Sequence, residues 1–474
     1  MLEKSYLASH AHLPILPGSW WLSAEGEPAF SVPVMFTAVC ESTGIGVSST
    51  VLVTNANFGV GIAAARALAM RGFDVVGCVT RRWPLGLASR YLRTTHVLDT
   101  RSQDGFANDL LALTKRLRPA ALLPVGTSAA AVVSRDIGTF SRFAAINLPT
   151  FNVFQLAYDK VLCTQACQQL AIPCPQSYSL AEGRAVLASN AASSPLVVKP
   201  AYDVGGAGGI HYVNNIQALD HAVRVCRTSY GRVLIQEFIP GGPEDFKTAV
   251  LLFSRDSRLA AWFTMQKHHT WPIRGGVTAV GRSTDEFGLV AQVLPFFAQH
   301  GWRGPAEVEF KLDRRDGLYK VIEINPRFPG YLRFPQACGL DLIPLAVRLA
   351  LGEGVVAPGD RAQYTVGTSY VNPGLLLRTA AAWVRHRPPS LGDLHRLATI
   401  TGASLGSLLG LSEDPAAVLG ILLQDLLALH PCHGEPPLSR WCWLPTVGSF
   451  LGDGPHEGSG IVGNPRIQNG DPDG

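Results

Sequence analysis

The sequence predicts an α/β protein in which a parallel, doubly wound sheet is followed by a larger α+β region. Three stretches indicate this fold class. From residue 51 to residue 79, a strand, a glycine-containing turn, a helix and a second strand follow one another, as in a parallel sheet. At 196–213 a strand that ends in lysine precedes a glycine-rich loop. At 306–325 two alternating runs flank an Asp-Gly turn, which predicts a β-hairpin.

The composition is that of a globular protein. The chain has 474 residues, of which 47% are hydrophobic and 16% charged, so two to four domains with a sizeable core are expected. Forty Lys and Arg against 36 Asp and Glu leave a net charge of +4. This charge is spread along the chain, so no nucleic-acid partner is expected.

The cysteines and apolar stretches indicate a cytoplasmic protein. The nine cysteines are irregularly spaced, which argues against a disulfide framework or a zinc site and favours a reducing compartment. The N-terminal stretch lacks the apolar core and cleavage site of a secretory signal. Charged and polar residues interrupt the apolar stretch at 397–429, so we expect no membrane association.

The first predicted sheet begins after a leader, residues 1–48, to which no role is assigned. The turn at 55–61 carries two of the three glycine positions of a dinucleotide fingerprint, and no acid ends the next strand. We therefore favour a structural turn there. A later strand at 120–125 is followed by Gly126-Thr127-Ser128, a loop at a carboxyl end that could touch a substrate.

The second predicted feature is a phosphate-binding loop. Lys199 ends the strand at 196–200, and four glycines within 205–209 leave backbone N–H groups free to wrap an anion. A glycine-rich turn without a ligand is the alternative. The loop lacks the Gly-Lys-Ser/Thr ending of a Walker motif and the downstream catalytic motif of a kinase.

The third predicted feature is the hairpin. By the period of two, Glu323 and Asn325 share a face with Tyr319 and Val321, and the turn brings Glu309 alongside. Two carboxylates and an amide are suitable ligands for a hard cation such as Mg²⁺. The alternative is a solvated sheet face with ordinary surface acids.

The hairpin resembles the metal-binding hairpin of the ATP-grasp superfamily, with an acid in a VEF run (308–310), a turn and an EINPR motif (323–327). After a strand that ends at Gln266, Lys267 to Gly276 are expected to form a glycine-ended loop. The "QK…P…GG" pattern within 266–276 is similar to the carboxylate–amine ligase-like branch of the superfamily. The resemblance covers residues 50–352. It implies a Rossmann-like preATP-grasp domain, then a two-subdomain α+β ATP-grasp fold and a smaller C-terminal region.

The resemblance also implies domain boundaries. The expected boundaries are 1–48 for an extension, 49–147 for the preATP-grasp domain, 148–354 for the ATP-grasp domain with a hinge near 235–241, 355–446 for a helical or mixed region and 447–474 for a disordered tail.

The resemblance also implies which residues bind the nucleotide. Backbone groups of the hinge would pair with adenine, and a later acid would hold the ribose, with Asp245 as the alternative to Glu244. Lysines and the glycine loop would hold the phosphates. The implied nucleotide-binding residues are Lys160, Lys199, Gly205, Gly206, Ala207, Gly208, Gly209, Glu237, Phe238, Ile239 and Glu244.

The metal ligands implied by the resemblance are Glu309, Glu323 and Asn325. Glu307 lies on the same strand face as Glu309, so spacing leaves the choice between them open. Catalytic or substrate contacts are implied for Arg327, Lys267 and Arg274.

The implied reaction is the formation of an acyl phosphate from ATP and a carboxylate, followed by attack of an amine to give an amide. The expected cofactors are ATP and Mg²⁺, with Mn²⁺ as an alternative ion, and the expected partners are a small carboxylate and an amine. A homodimer is compatible with the resemblance. Two alternatives remain: a bicarbonate-activating enzyme of the carboxylase or carbamoyl-phosphate type, and a nucleotide-binding protein without turnover.

Overall fold

The computed structural model describes most of the chain between residues 49 and 375. The predicted leader, the predicted tail and most of the predicted C-terminal region lie outside the described residues, and the domain boundaries stay predictions. In the described part, no helix is both long and apolar enough to cross a membrane. The described residues are 49–80, 89–99, 102–189, 195–202, 209–271, 276–372 and 375.

The N-terminal region contains the predicted parallel sheet, with strand order β3-β2-β1-β4. Leu52 and Val76 face one hydrophobic cluster, whereas Val51 and Val53 face the other, so both sides of the sheet are covered. The elements are β1 (Thr50–Val53), α1 (Gly59–Ala69), β2 (Asp74–Thr80), β3 (Thr94–Leu98), α2 (Gln103–Leu117), β4 (Ala121–Leu123), α3 (Thr127–Arg135), α4 (Ile137–Phe140) and α5 (Phe151–Tyr158).

Close packing explains a glycine in the first turn. A Cβ atom at Gly61 would lie 2.2 Å from the backbone oxygen of Asn55. A larger residue would therefore push helix α1 away from the turn that precedes it. This packing supports the interpretation of the glycines as structural.

The second sheet is four-stranded and antiparallel, with order β5-β8-β6-β7. Its apolar face packs on two helices through a cluster that includes Val198, Leu219, Val223 and Ile235. The elements are α6 (Lys160–Gln169), β5 (Ser177–Tyr178), α7 (Leu180–Ala188), β6 (Leu196–Pro200), β7 (His211–Val213), α8 (Ile216–Tyr230) and β8 (Val233–Glu237).

The third sheet is six-stranded and antiparallel, with order β13-β12-β9-β10-β11-β14. It contains the predicted Asp-Gly hairpin, in which Gly317 takes a positive φ of 76°. The elements are β9 (Phe246–Phe253), β10 (Leu259–Trp271), β11 (Val277–Thr284), α9 (Phe287–Gln299), β12 (Gly304–Asp313), β13 (Leu318–Asn325), α10 (Arg333–Ala337), α11 (Leu342–Ala350) and β14 (Ser369–Val371), with a 3₁₀ turn at Pro243–Asp245.

Part of one predicted loop is a strand. A loop was expected from Lys267 to Gly276, but β10 continues to Trp271. Pairing with β11 holds this extension in the sheet, with irregular register around His269. The prediction was wrong because the polar composition of 267–271 does not reveal the partner strand.

Candidate functional site

A cavity of about 410 Å³ is lined by residues of the second and third sheets and by residues beside the first sheet, at the starts of α1 and α3. It brings together nine residues named from the sequence as nucleotide-binding, metal-binding or catalytic candidates or alternatives, although they are up to 167 positions apart along the chain. The convergence of these residues makes the cavity the candidate active site. The nine residues are Lys160, Lys199, Glu237, Phe238, Ile239, Glu307, Glu309, Glu323 and Arg327.

The hairpin places its acids as cross-strand pairs. Glu307 lies opposite Asn325, and Glu309 lies opposite Glu323. Directly opposed residues project from the same face of a sheet, so all four polar side chains share one face. The amide Nδ2 of Asn325 donates to Oε1 of Glu323 at 3.2 Å.

The predicted face was wrong for Tyr319 and Val321. A β-bulge in β13, where Ile322 is the extra residue opposite the step from Glu309 to Phe310, shifts the register, so that Val321 pairs with Phe310 instead of following the face of Glu323. Val321 is buried in the hydrophobic core with Phe310. A bulge adds one residue to a strand and reverses the alternation beyond it, which strict periodicity does not detect.

Two lysines face the hairpin acids. Lys160 is the first residue of α6, whose N-terminus is capped by the carboxylate of Asp159. Its Nζ lies 3.3 Å from Oε2 of Glu323. Lys199 is the penultimate residue of β6, and its Nζ donates to the backbone oxygen of Ile322 at 3.5 Å. The structure therefore places both predicted phosphate lysines beside the predicted metal acids.

These neighbours shift the charges of the site. Burial and the nearby Lys160 ammonium lower the pKa of Lys199 to about 8. Burial and the nearby Glu323 and Glu307 carboxylates raise the pKa of Glu309, against the opposing effect of Lys267. Burial alone would raise the pKa of Glu323, but the Lys160 and Lys199 ammonium groups lower it. Crowded charges of both signs in a cleft are typical of functional sites.

Lys267 lies behind the acids and is absent from the cavity lining. Its side chain is 2% exposed, and its Nζ lies 2.8 Å from Oε2 of Glu309. Lys267 therefore holds the carboxylate of Glu309, and the predicted direct contact with substrate has no support from this position. Arg274 lies outside the described residues.

Arg327 joins the hairpin to helix α3 of the N-terminal region. Its Nη1 donates to Oε2 of Glu307 at 2.7 Å and to the backbone oxygen of Phe328 at 3.2 Å, and its Nε donates to Oγ1 of Thr127 at 3.1 Å. Thr127 begins helix α3 and lines the cavity with Gly126. The loop predicted to touch a substrate therefore lies at the site.

Glu307 and Glu309 have different partners, which bears on the metal ligand left open by the sequence. Glu307 is 3% exposed and bound by Arg327, whereas Glu309 lies directly opposite Glu323. This geometry therefore favours Glu309 over Glu307 as the candidate metal ligand opposite Glu323.

The oxygen-rich face fits a hard cation. In the described part of the chain, no group of three or more His, Cys, Asp or Glu side chains is arranged to hold a metal ion. Glu309, Glu323 and Asn325 can instead supply two carboxylates and one amide. Mg²⁺ commonly takes only one or two carboxylates and completes its shell with water and substrate phosphates.

The hinge residues line the opposite part of the cavity. Phe238 and Ile239 follow β8 directly and lie at the wall. The backbone N–H of Glu237 already donates to the backbone oxygen of Gln176 at 2.9 Å. Within the described part of the chain, the N–H groups of Phe238 and Ile239 make no such backbone hydrogen bond.

The predicted ribose acid does not line the cavity. Glu244 is exposed, and Asp245 is buried with its carboxylate accepting from Arg314 at 2.9 Å and from the Gly242 N–H at 2.9 Å.

Of the predicted glycine loop, only the last glycine lies in the described part of the chain. Gly209 has a positive φ of 73°, and Tyr230 and Pro200 leave little space for a side chain there. Gly205, Gly206, Ala207 and Gly208 lie outside the described residues.

Sequence reasoning missed several residues of the cavity wall. Lys311 shares the strand face of Glu309, so the same alternation that selected the acid could have selected it. Tyr331 follows the EINPR motif closely, whereas Tyr212 and Thr278 gave no sequence signal. These four residues all line the cavity.

A charged network ties the hinge strand to the hairpin. The Asp313 carboxylate is fully buried and accepts from Arg315 Nη2 and Lys320 Nζ, each at 2.6 Å. Arg315 and Lys320 also reach the Glu237 carboxylate, at 2.9 Å and 3.2 Å. Hydrogen bonds from Arg315, with those from Lys320, hold the pKa of Asp313 well below its usual range.

We expect Asp313→Asn to lower the free energy of unfolding by about 2 kcal/mol at pH 7, because charge-assisted hydrogen bonds are lost. A depressed native pKa contributes stability that is complete above the unfolded pKa, about 3.9, and disappears as pH falls toward the native value. Denaturant titrations should therefore show the two proteins converging below about pH 4. Asp316→Asn is the control, because Asp316 is 41% exposed and lies 3.3 Å from Lys320. An equal loss in both variants would contradict the expectation.

Comparison with known proteins places this site in a family. Residues 157–331 match the ATP-grasp domain. A sequence relative is the mitochondrial large chain of arginine-specific carbamoyl phosphate synthase from Neurospora crassa, 24% identical over 234 residues. The alignment covers 47% of this chain but only 20% of that relative, so the chain spans about a fifth of the relative's length.

Solved structures share the fold at low identity. N5-carboxyaminoimidazole synthetase from Staphylococcus aureus aligns with a TM-score of 0.55 and 12% identity, over 73% of this chain and 88% of that chain. The biotin carboxylase domain of Hydrogenobacter thermophilus 2-oxoglutarate carboxylase, a dimer in complex with MgADP, ADP and bicarbonate, aligns with a TM-score of 0.54 and 17% identity, over 68% and 73%. Residues 157–331, which contain Lys160, Lys199 and the acidic hairpin, are therefore an ATP-grasp domain.

Proposed function

We propose that the chain is an ATP-dependent carboxylate–amine ligase that forms an amide and releases ADP and phosphate. One observation carries the proposal: Lys160, Lys199, Glu309, Glu323 and Arg327 line a single cavity in an ATP-grasp domain. Cations suit the phosphates of a nucleotide, and paired acids suit the metal ion that accompanies it. The cavity thus contains the groups that phosphoryl transfer requires.

The lysines bind and orient the phosphates in this proposal. Lys160 and Lys199 approach from α6 and β6 toward Glu323. Glu309, Glu323 and Asn325 would hold Mg²⁺, or Mn²⁺ in its place, and the bound ion would neutralise charge on the phosphates. Lys267 fixes the carboxylate of Glu309 from behind. These residues work by positioning and charge, without a covalent intermediate on the protein.

The reaction would proceed in two steps. A carboxylate oxygen of the substrate attacks the γ-phosphorus of ATP, the bond to the β–γ bridging oxygen breaks, and ADP leaves with that electron pair. The nitrogen of a neutral amine then attacks the acyl carbon of the acyl phosphate, inorganic phosphate leaves and the nitrogen loses a proton to solvent. Arg327 would stabilise the oxyanion that forms between attack and departure.

The acyl substrate would lie at the end of the cavity that meets the N-terminal sheet. Gly126 and Thr127 line this end beside Arg327, together with Val60 and Phe328. The first N–H groups of α3 belong to a helix end without a side-chain cap, and such a helix end favours an anion. A small carboxylate is the substrate class that this wall suits.

A second candidate is the activation of bicarbonate, as in carboxylase or carbamoyl-phosphate enzymes. The sequence similarity to a carbamoyl phosphate synthase large chain favours it. Binding of nucleotide without turnover is a third possibility, which the presence of all four groups Lys160, Lys199, Glu309 and Glu323 in one cavity argues against. A homodimer is also part of the proposal, and a measurement of the oligomeric state in solution tests it.

The test is phosphate release from ATP and Mg²⁺ with a panel of small carboxylic acids and amines, alone and in pairs, and with bicarbonate. We expect release to require both an acid and an amine, and Lys199→Met to abolish it. Turnover with bicarbonate and no organic acid would replace the ligase proposal with the second candidate. Nucleotide binding without turnover across the panel would count against both reactions.

A further inference from the structure

A lysine without a role in the proposed reaction lines the same cavity. Lys311 lies on β12, two residues beyond Glu309. Two residues of a strand span about 7 Å and return to the same face. The ammonium group of Lys311 is therefore on the cavity side of the sheet, displaced from the metal acids along the strand.

The surroundings of Lys311 place it near the hinge. Its Nζ lies 5.1 Å from the ring centre of Phe238 and 4.7 Å from that of Phe246. Phe246 is directly opposite Lys311 on β9, and Phe238 packs edge-on against Tyr212 at 5.6 Å. All four side chains line the cavity. At this end of the cavity, three aromatic side chains therefore form the wall, and the Lys311 ammonium lies beside them.

The charge of Lys311 is only partly compensated. The residue is 5% exposed, and its Nζ donates to the backbone oxygen of Gly241 at 3.2 Å. Among the residues that the structure describes, no carboxylate is within ion-pair distance of Lys311, although Asp245 and Glu244 are near enough to oppose the effect of burial on its pKa. A buried cation is costly unless it is paired, and an ammonium has three protons to donate.

We propose that Lys311 contacts the nucleoside part of the bound purine nucleotide and donates to an acceptor atom there. The inference rests on the proposed nucleotide binding and adds a selectivity residue to it. The phosphates are held by Lys160 and Lys199, so the part of the nucleotide that reaches the hinge is the sugar and base. Aromatic walls provide the stacking surface, and the ammonium provides the polar contact that orients the base.

The experiment compares two probes, MgATP and magnesium tripolyphosphate, by calorimetry or by displacement of a fluorescent ATP analogue. Lys311→Met keeps the aliphatic stem and removes the charge. We expect this variant to bind ATP about 10-fold to 100-fold more weakly, the effect of losing a charged hydrogen bond. Binding of tripolyphosphate, which has no nucleoside, should stay within about 2-fold of the unmodified protein, because Lys311 does not touch the phosphates in this proposal.

Lys247→Met is the matched control. Lys247 is adjacent to Phe246 but contacts Glu286 and the ring of Tyr319, and it does not line the cavity. We expect this variant to bind both probes normally. Lys311→Gln, which keeps a polar group, provides a second variant, and its ATP affinity should lie between those of the unmodified protein and Lys311→Met.

Two results would overturn the role of Lys311 alone: unchanged ATP binding in both Lys311 variants, or an equal loss for ATP and tripolyphosphate, which would make it a phosphate contact. If the unmodified protein binds no nucleotide, the proposed function fails and this inference fails with it. A failure of the inference is thus distinguishable from a failure of the proposed function.

Discussion

Replacing Glu323 by Gln is expected to lower the rate of ATP turnover by about 10²-fold to 10³-fold, the range seen when one preorganised charge-stabilising group is removed. The change keeps the shape of the side chain and removes its charge. Glu323 lies opposite Glu309 and 3.3 Å from Lys160, so it belongs to both the acid pair and the lysine cluster. Steady-state ADP release, with saturating ATP and Mg²⁺, measures the effect.

Glu286→Gln is the matched control for this variant. Glu286 also accepts from a lysine, Lys247, at 2.5 Å, but neither residue lines the cavity. We expect Glu286→Gln to retain most of the activity even if its melting temperature falls. If Glu323→Gln is folded and turns over ATP at a rate similar to that of the control, Glu323 is not a metal ligand in the reaction.

The sequence predicted best those site residues that belong to short local motifs. Asp316-Gly317 predicted the hairpin because a tight turn requires a residue that accepts positive φ, and the structure shows that turn. Glu323 and Asn325 were predicted together because both belong to one strand. Lys199 was predicted because it ends a strand before a run of glycines. Each of these signals is local.

What the sequence did not predict depends on contacts between distant strands. The bulge at Ile322 arises from the pairing of β12 with β13, so alternation alone assigned Val321 to the wrong face. Lys267 was predicted as a substrate contact, yet its partner is Glu309, 42 positions later. No pattern within a single strand reveals which lysine reaches which acid, because that is decided when the sheet forms.

Arg327→Met is expected to reduce amide formation by about 10²-fold to 10³-fold, because the oxyanion of the second step loses its cation. The same change should lower the free energy of unfolding by about 3 kcal/mol, because Glu307 is buried and would lose its partner. A single variant cannot separate these two effects. Thermal or denaturant unfolding must be measured beside the rate of amide formation.

The double variant Glu307→Gln with Arg327→Met separates catalysis from stability. Neutralising Glu307 removes the unpaired charge, so we expect much of the lost stability to return while the rate of amide formation stays low. If the double variant recovers activity as well, Arg327 serves only to neutralise Glu307 and has no role in the second step. If neither variant changes the rate, the oxyanion must be stabilised elsewhere. Recovery of stability without activity would instead assign to Arg327 a catalytic role that its ion pair with Glu307 does not explain.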